Sequence, residues 1–116
     1  ARDPTPARLL AATTINGVIA FTQAVAPDLA RRGIAINVIT PGPIRTERLI
    51  GLVKAYAERE GLPSDTGIDY LDAKIPTGHV TEPEEIAELT MFLASRRVHN
   101  LTGTEIVLNG GSRLSI

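Results

Sequence analysis

Tyr70 and Lys74, four residues apart in the stretch YLDAK, have the types and spacing of an acid/base couple. On one helical face a lysine ammonium stabilises a phenolate and lowers the tyrosine's pKa. Tyr56 and Lys54 are only two apart and do not share a face. With no cysteine in the 116 residues, thiolate nucleophiles, disulfides and cysteine-ligated metals are excluded together. His79 and His99 have no such partners and no helical pairing, so they read as surface residues rather than ligands. Glu82, Glu84, Glu85 and Glu88 read as the polar face of a helix rather than a catalytic pair.

These side chains must be positioned by a chain with room for one domain at most. Its composition, 43% hydrophobic and 22% charged, is that of a folded protein with a packed core. A net charge of −1 and 3% aromatics give neither a phosphate-binding footprint nor a stacking platform, so nucleic acid is not expected as a partner. No apolar run approaches a membrane span, and a soluble, cytoplasmic protein is expected. The opening Ala1-Arg2-Asp3-Pro4 reads as a start inside a longer domain, although a trimmed chain would look the same.

Periodicity predicts a helix from about Ala7 to Arg32, with Leu10, Val18, Phe21, Val25 and Leu29 as its buried stripe. Pro27 inside it removes a hydrogen bond to the Gln23 carbonyl, and Gly33 after two arginines is a helix stop. The β-branched run Ile34 to Thr40 predicts a strand covered on both faces, as in a parallel sheet. Pro41-Gly42-Pro43 ends it, at the strand end where open α/β sheets place their ligand crevice. Thr46 caps a helix reaching about Glu60, and residues 44 to 78 form a helical excursion. Thr81-Glu82-Pro83-Glu84 reads as a capping box before a helix with Ile86, Leu89 and Leu93 on its apolar face, and Thr104 to Gly111 holds a second strand. Asn37, inside an apolar strand, must find partners for its amide, and a tie between neighbouring strands is the expected role.

The stretches GIAINVITPGPIRTE, TEPEEIAELTMFLAS and LTGTEIVLNGG, in that order and spacing, resemble the C-terminal half of a short-chain dehydrogenase/reductase. FTQAVAPDLARRG before them is similar to the family's helix leading into its sixth strand. The resemblance implies an α/β fold, the last two strands of a doubly wound parallel sheet with their helices, binding NAD(H) or NADP(H). Residues 1–116 would be a partial Rossmann-like domain, for no glycine-rich turn between a strand and a helix is present.

The resemblance sets Pro41, Gly42, Ile44 and Thr46 beside the nicotinamide. Gly42 permits close approach, Ile44 offers an apolar wall with its own N–H and C=O for the carboxamide, and Thr46 adds a hydroxyl at a helix N-terminus. By pattern alone the same stretch is a Pro-Gly turn with a threonine cap.

In this family the catalytic tyrosine and lysine stand on the helix before the sixth strand, and counting back from Phe21 places them at Ala11 and Ile15. Neither moves a proton, so no catalytic residue is assigned. YLDAK falls in the segment that by resemblance covers the substrate, and its spacing reads as coincidence, with Tyr70 packed and Lys74 solvated. Asn109 stands where the family usually has aspartate, and a structural effect at most is expected.

Two functions are in view. One is part of an oxidoreductase transferring hydride between nicotinamide and a small-molecule alcohol/carbonyl substrate. The other is a non-catalytic remnant serving as an assembly or binding module. Two strands and their helices leave apolar surface exposed, to be covered by the fold's missing half or by another copy of the chain. By resemblance, the long first helix and the pair formed by residues 84–95 and 104–109 are the faces of a homo-oligomer, dimer or tetramer.

Overall fold

In a computed structural model of the chain the described residues are 9–61, 63 and 66–112, with the side chains of 9–11 and 66 outside that set. They form two compact units, one of residues 9–40 and 92–107, the other of 41–91 and 108–112.

In the first unit, helix α1 (Leu9–Arg31) continues through Pro27, which is exposed and has no N–H to give the Gln23 carbonyl. It stops as the sequence predicts. Ile34 N–H donates to the Leu29 carbonyl at 3.0 Å and Gly33 N–H to that of Ala30 at 2.9 Å, with Gly33 at φ 73°. This double bond pattern closes the last turn, and glycine adopts the left-handed conformation without a Cβ penalty.

The buried face of α1 differs from the predicted stripe. Ala12, Ile19, Thr22 and Ala26 are buried, whereas Val18 is 50% and Phe21 62% exposed. At Ala26 this face has to be small, because the helix comes close to the chain leading into the second strand: a Cβ on Gly103 would stand 2.9 Å from the Ala26 Cβ. Ile15, Val18 and Phe21 form a second apolar strip facing outward. Leu10's side chain lies outside the described residues.

Strand β1 (Val38–Pro41) pairs with the later strand β2 (Glu105–Leu108). Val38 N–H donates to Thr104 O and Gly42 N–H to Leu108 O, an equal sequence separation that makes the pair parallel. The ladder starts four residues later than the β-branched run suggested. At Ile36 the N–H goes instead to the Thr102 hydroxyl at 3.1 Å, and at Asn37 the side chain replaces the backbone. Asn37 Nδ2 donates to Leu101 O at 3.0 Å while its Oδ1 accepts from Thr104 N–H at 3.1 Å. The expected tie is there, spanning the entry to both strands.

The second unit is the excursion. Helix α2 (Glu47–Arg59) begins at Thr46, whose hydroxyl accepts from Leu49 N–H at 3.3 Å. Helix α3 (Thr66–Lys74) packs against it, so closely at Gly67 that a Cβ would collide with the Val53 side chain. Helix α4 (Pro83–Ala94), whose last residues pass into the first unit, starts one residue later than the capping box required. Proline suits the first helical position, where no N–H is needed, so Glu82 becomes the cap and Glu85 reaches back to its N–H at 2.7 Å. Thr81 is thereby freed for another contact. Among the described residues of this unit Ala57, Ile75, Val80 and Thr81 are buried, Val80 completely so.

Because Asn37 alone supplies two of the bonds that set the strand register, Asn37→Ala should destabilise the fold by about 2 kcal/mol, measured by urea denaturation. A change below about 0.5 kcal/mol would remove the amide from that role.

Candidate functional site

Pro41 closes β1 and Gly42 follows, its N–H on Leu108 O at 2.8 Å. Gly42 is needed at this point for a reason the sequence did not disclose. A Cβ there would lie 3.0 Å from the Asn109 Cα, so the close approach is made by the turn after β2. Asn109 shapes that turn as expected: its Oδ1 accepts from Gly111 N–H at 3.1 Å and its Nδ2 donates to Ser112 O at 2.8 Å.

Past Gly42 the loop makes a one-residue parallel bridge between Ile44 and Thr81. Thr81 N–H donates to Pro43 O at 3.1 Å, and Arg45 N–H donates to Thr81 O at 2.9 Å. In such a bridge the central residue's own N–H and C=O point to the opposite side. Ile44 therefore presents its backbone away from Thr81, where its C=O also meets Thr46 N–H at 2.8 Å. Thr46 is exposed at the N-terminus of α2, where unpaired N–H groups and the helix dipole favour negative charge.

Beside this loop stands an ionic group. Arg45 Nη2 donates to Asp72 Oδ2 at 2.8 Å and Arg45 Nε to Glu82 Oε1 at 2.7 Å. Asp72 Oδ1 accepts from Val80 N–H at 2.7 Å. Burial of Asp72 disfavours its charged form, but the Arg45 guanidinium and the Val80 N–H together outweigh that and hold the carboxyl below the usual aspartate range. Nothing in the sequence pairs these groups, since they lie 27 and 37 residues apart along the chain.

Between α2 and α3 lies an apolar groove of about 880 Å³, lined by Leu49, Leu52, Val53, Tyr56 and Leu71 among others. Tyr70 and Lys74 sit at the same groove. Tyr70 is 58% exposed rather than packed, while Lys74 is exposed as expected, its ammonium 4.3 Å from the Tyr70 ring centroid. The charge covers the ring face, a cation–π contact rather than an approach to the hydroxyl. Within YLDAK the residue engaged by the rest of the unit is Asp72.

Ala11 and Ile15 both lie in α1, with Ile15 exposed. His79 is exposed, 3.9 Å from Glu85, and His99 is exposed too. Among the described residues no group of three His, Cys, Asp or Glu side chains is placed to hold a metal ion, and no helix is long and apolar enough to cross a membrane.

A parallel strand pair, a Pro-Gly loop at its carboxyl end and a helical excursion beyond it are the C-terminal part of a Rossmann-like fold. The family model described as enoyl-(acyl carrier protein) reductase matches residues 10–113, and the chain belongs to the short-chain dehydrogenase/reductase family. It is 33% identical over 108 residues to the (S)-acetoin-forming diacetyl reductase of Staphylococcus aureus, covering 93% of this chain and 42% of that protein. A short-chain dehydrogenase family protein from Francisella tularensis superposes with a TM-score of 0.83 at 29% identity, over 93% of this chain and 45% of its own. The L-sorbose reductase of Gluconobacter frateurii, solved with NADPH and L-sorbose, gives 0.79 at 25% identity, over 90% and 40%. NADPH in that structure agrees with the cofactor class, NAD(H) or NADP(H), that the resemblance implied. The chain spans about two fifths of the length of the curated relatives it matches.

A carboxyl held below its ordinary value contributes stability that is present above the unfolded pKa of about 3.9 and is lost as pH falls through the folded one. Asp72→Asn should therefore flatten the loss of stability below about pH 4, relative to the unsubstituted protein, in urea titrations at stepped pH. Parallel acid profiles for the two would contradict the depressed carboxyl.

Proposed function

We propose that these residues are the C-terminal part of an oxidoreductase that transfers hydride between NAD(H) or NADP(H) and a small-molecule alcohol/carbonyl pair. One observation carries the reading: the Ile44–Thr81 bridge turns the Ile44 N–H and C=O outward, next to the Thr46 hydroxyl at the start of α2. A carboxamide needs a donor and an acceptor side by side, and a phosphate favours a helix N-terminus, so these residues fit a nicotinamide nucleotide. When bound, the nicotinamide supplies or accepts the hydride. The chain's own groups bind and orient it. Ile44 holds the carboxamide edge, Thr46 hydrogen-bonds, and Pro41 and Gly42 fix where the loop leaves the strand.

The groove between α2 and α3 covers the substrate, its apolar lining excluding water from the reacting carbon. Ala11 and Ile15 give no acid at the family's usual positions, so the proton reaches the carbonyl oxygen from another group. The outward strip Ile15, Val18 and Phe21 on α1, and Met91 on α4, are surfaces covered by the remainder of the same fold or by a second copy in a homo-oligomer. A cytoplasmic location accords with this reading.

Thr46→Ala in the intact protein should weaken NADPH or NADH binding about tenfold, the loss of one hydrogen bond, in a titration of nicotinamide fluorescence. Unchanged affinity would remove Thr46 from the cofactor site, and no saturable signal in the unsubstituted protein would leave the non-catalytic module as the reading.

A further inference from the structure

Arg45 sits between Ile44 and Thr46, yet its side chain leaves the loop for two other elements. Nη2 reaches Asp72 on α3 and Nε reaches Glu82 at the cap of α4. A guanidinium is a rigid fork, and here each arm holds a different carboxylate, a geometry a lysine cannot reproduce. The network is partly withdrawn from water, with the Arg45 side chain 29% and that of Asp72 20% exposed. Pairs such as Arg31–Asp28 and Arg59–Glu60 lie in solvent.

The second oxygen of Asp72 is occupied as well, by the N–H of Val80, a residue with no exposed surface. Val80 precedes Thr81, and Thr81 is bridged to the loop on either side of Ile44. The connections form a closed circuit: loop to Thr81 through the backbone, Thr81 to Val80 along the chain, Val80 to Asp72, and Asp72 back to the loop through Arg45. Breaking the circuit at Arg45 removes the direct link between α3 and the loop and leaves only the longer route through Val80 and Thr81.

We propose that Arg45 is a positioning residue that makes loop 43–46 and helix α3 one cooperative unit, so that the binding loop and the segment over the groove become ordered together. The assignment of those two parts to cofactor and substrate rests on the functional reading above. The mechanical coupling does not.

The test is amide hydrogen exchange on the intact protein and its Arg45→Gln, Arg45→Lys, Asp72→Asn and doubly substituted Arg45→Gln/Asp72→Asn forms. Asp72→Asn keeps an oxygen for the Val80 N–H, so the fold is little disturbed. Exchange should rise about tenfold in Arg45→Gln, by the same factor at residues 45–46 and across α3, with the double form no worse and Arg45→Lys intermediate. Faster exchange in only one of the two segments, additive effects in the double form, or no change in any form would overturn the proposal.

NADPH titration supplies a second readout. With the coupling intact, Arg45→Gln should lose NADPH affinity although Arg45 is committed to carboxylates and not to the ligand. If Thr46→Ala weakens NADPH binding and Arg45→Gln does not, the positioning role is overturned. If neither substitution moves NADPH, the cofactor assignment falls, and the exchange data alone decide the coupling.

Discussion

Two adjacent parallel strands cannot be joined by a tight turn, and most of this structure follows from that constraint. β1 and β2 are neighbours, so the chain leaving Pro41 must travel back before it can enter Glu105. The return is made by α2, α3 and α4. Register is fixed at the point of entry, where the Asn37 amide spans Leu101 and Thr104, and at the point of exit, where Gly42 donates to Leu108. An asparagine in an otherwise apolar run costs little here because both ends of its amide are engaged.

The long return places the loop after β1 among chain segments that are far away in sequence. Pro43 and Arg45 pair with Thr81 through the backbone, and the Arg45 side chain engages Asp72 and Glu82. A loop would ordinarily be the mobile part of such a fold. This one is held on both sides of Ile44, which leaves the backbone of that residue defined in direction but free of the bridge.

Legibility from sequence followed the reach of each interaction. The end of α1, the cap of α2 and the turn at Asn109 depend on residues within five positions, and each was readable from residue types. Periodicity identified α1 as amphipathic but chose the wrong stripe, because large apolar side chains mark a hydrophobic face without saying which neighbour comes close enough to demand small ones. The start of β1 was misplaced for a related reason. β-branched residues from Ile34 favour an extended chain, but a ladder also needs a partner, and at Ile36 the Thr102 hydroxyl takes the N–H. In YLDAK the local spacing marks Tyr70 and Lys74, whereas Asp72 between them is defined by Arg45 and Val80, contacts that no local pattern encodes.

The contact between Ala26 and Gly103 sets hydrophobicity and volume against each other. A valine or leucine at 26 would remove more apolar area from water, and by transfer free energy alone would be the better choice. A side chain at 103 would crowd even the alanine at 26, and Gly103, at φ 70°, occupies a conformation that side chains resist. The two positions in effect share a single volume, and a gain at one must be matched by a retreat that the other cannot make. On this face smallness at 26 matters more than apolar bulk, whereas Val18 and Phe21, exposed on the outward strip of the helix, carry no such constraint from the described residues.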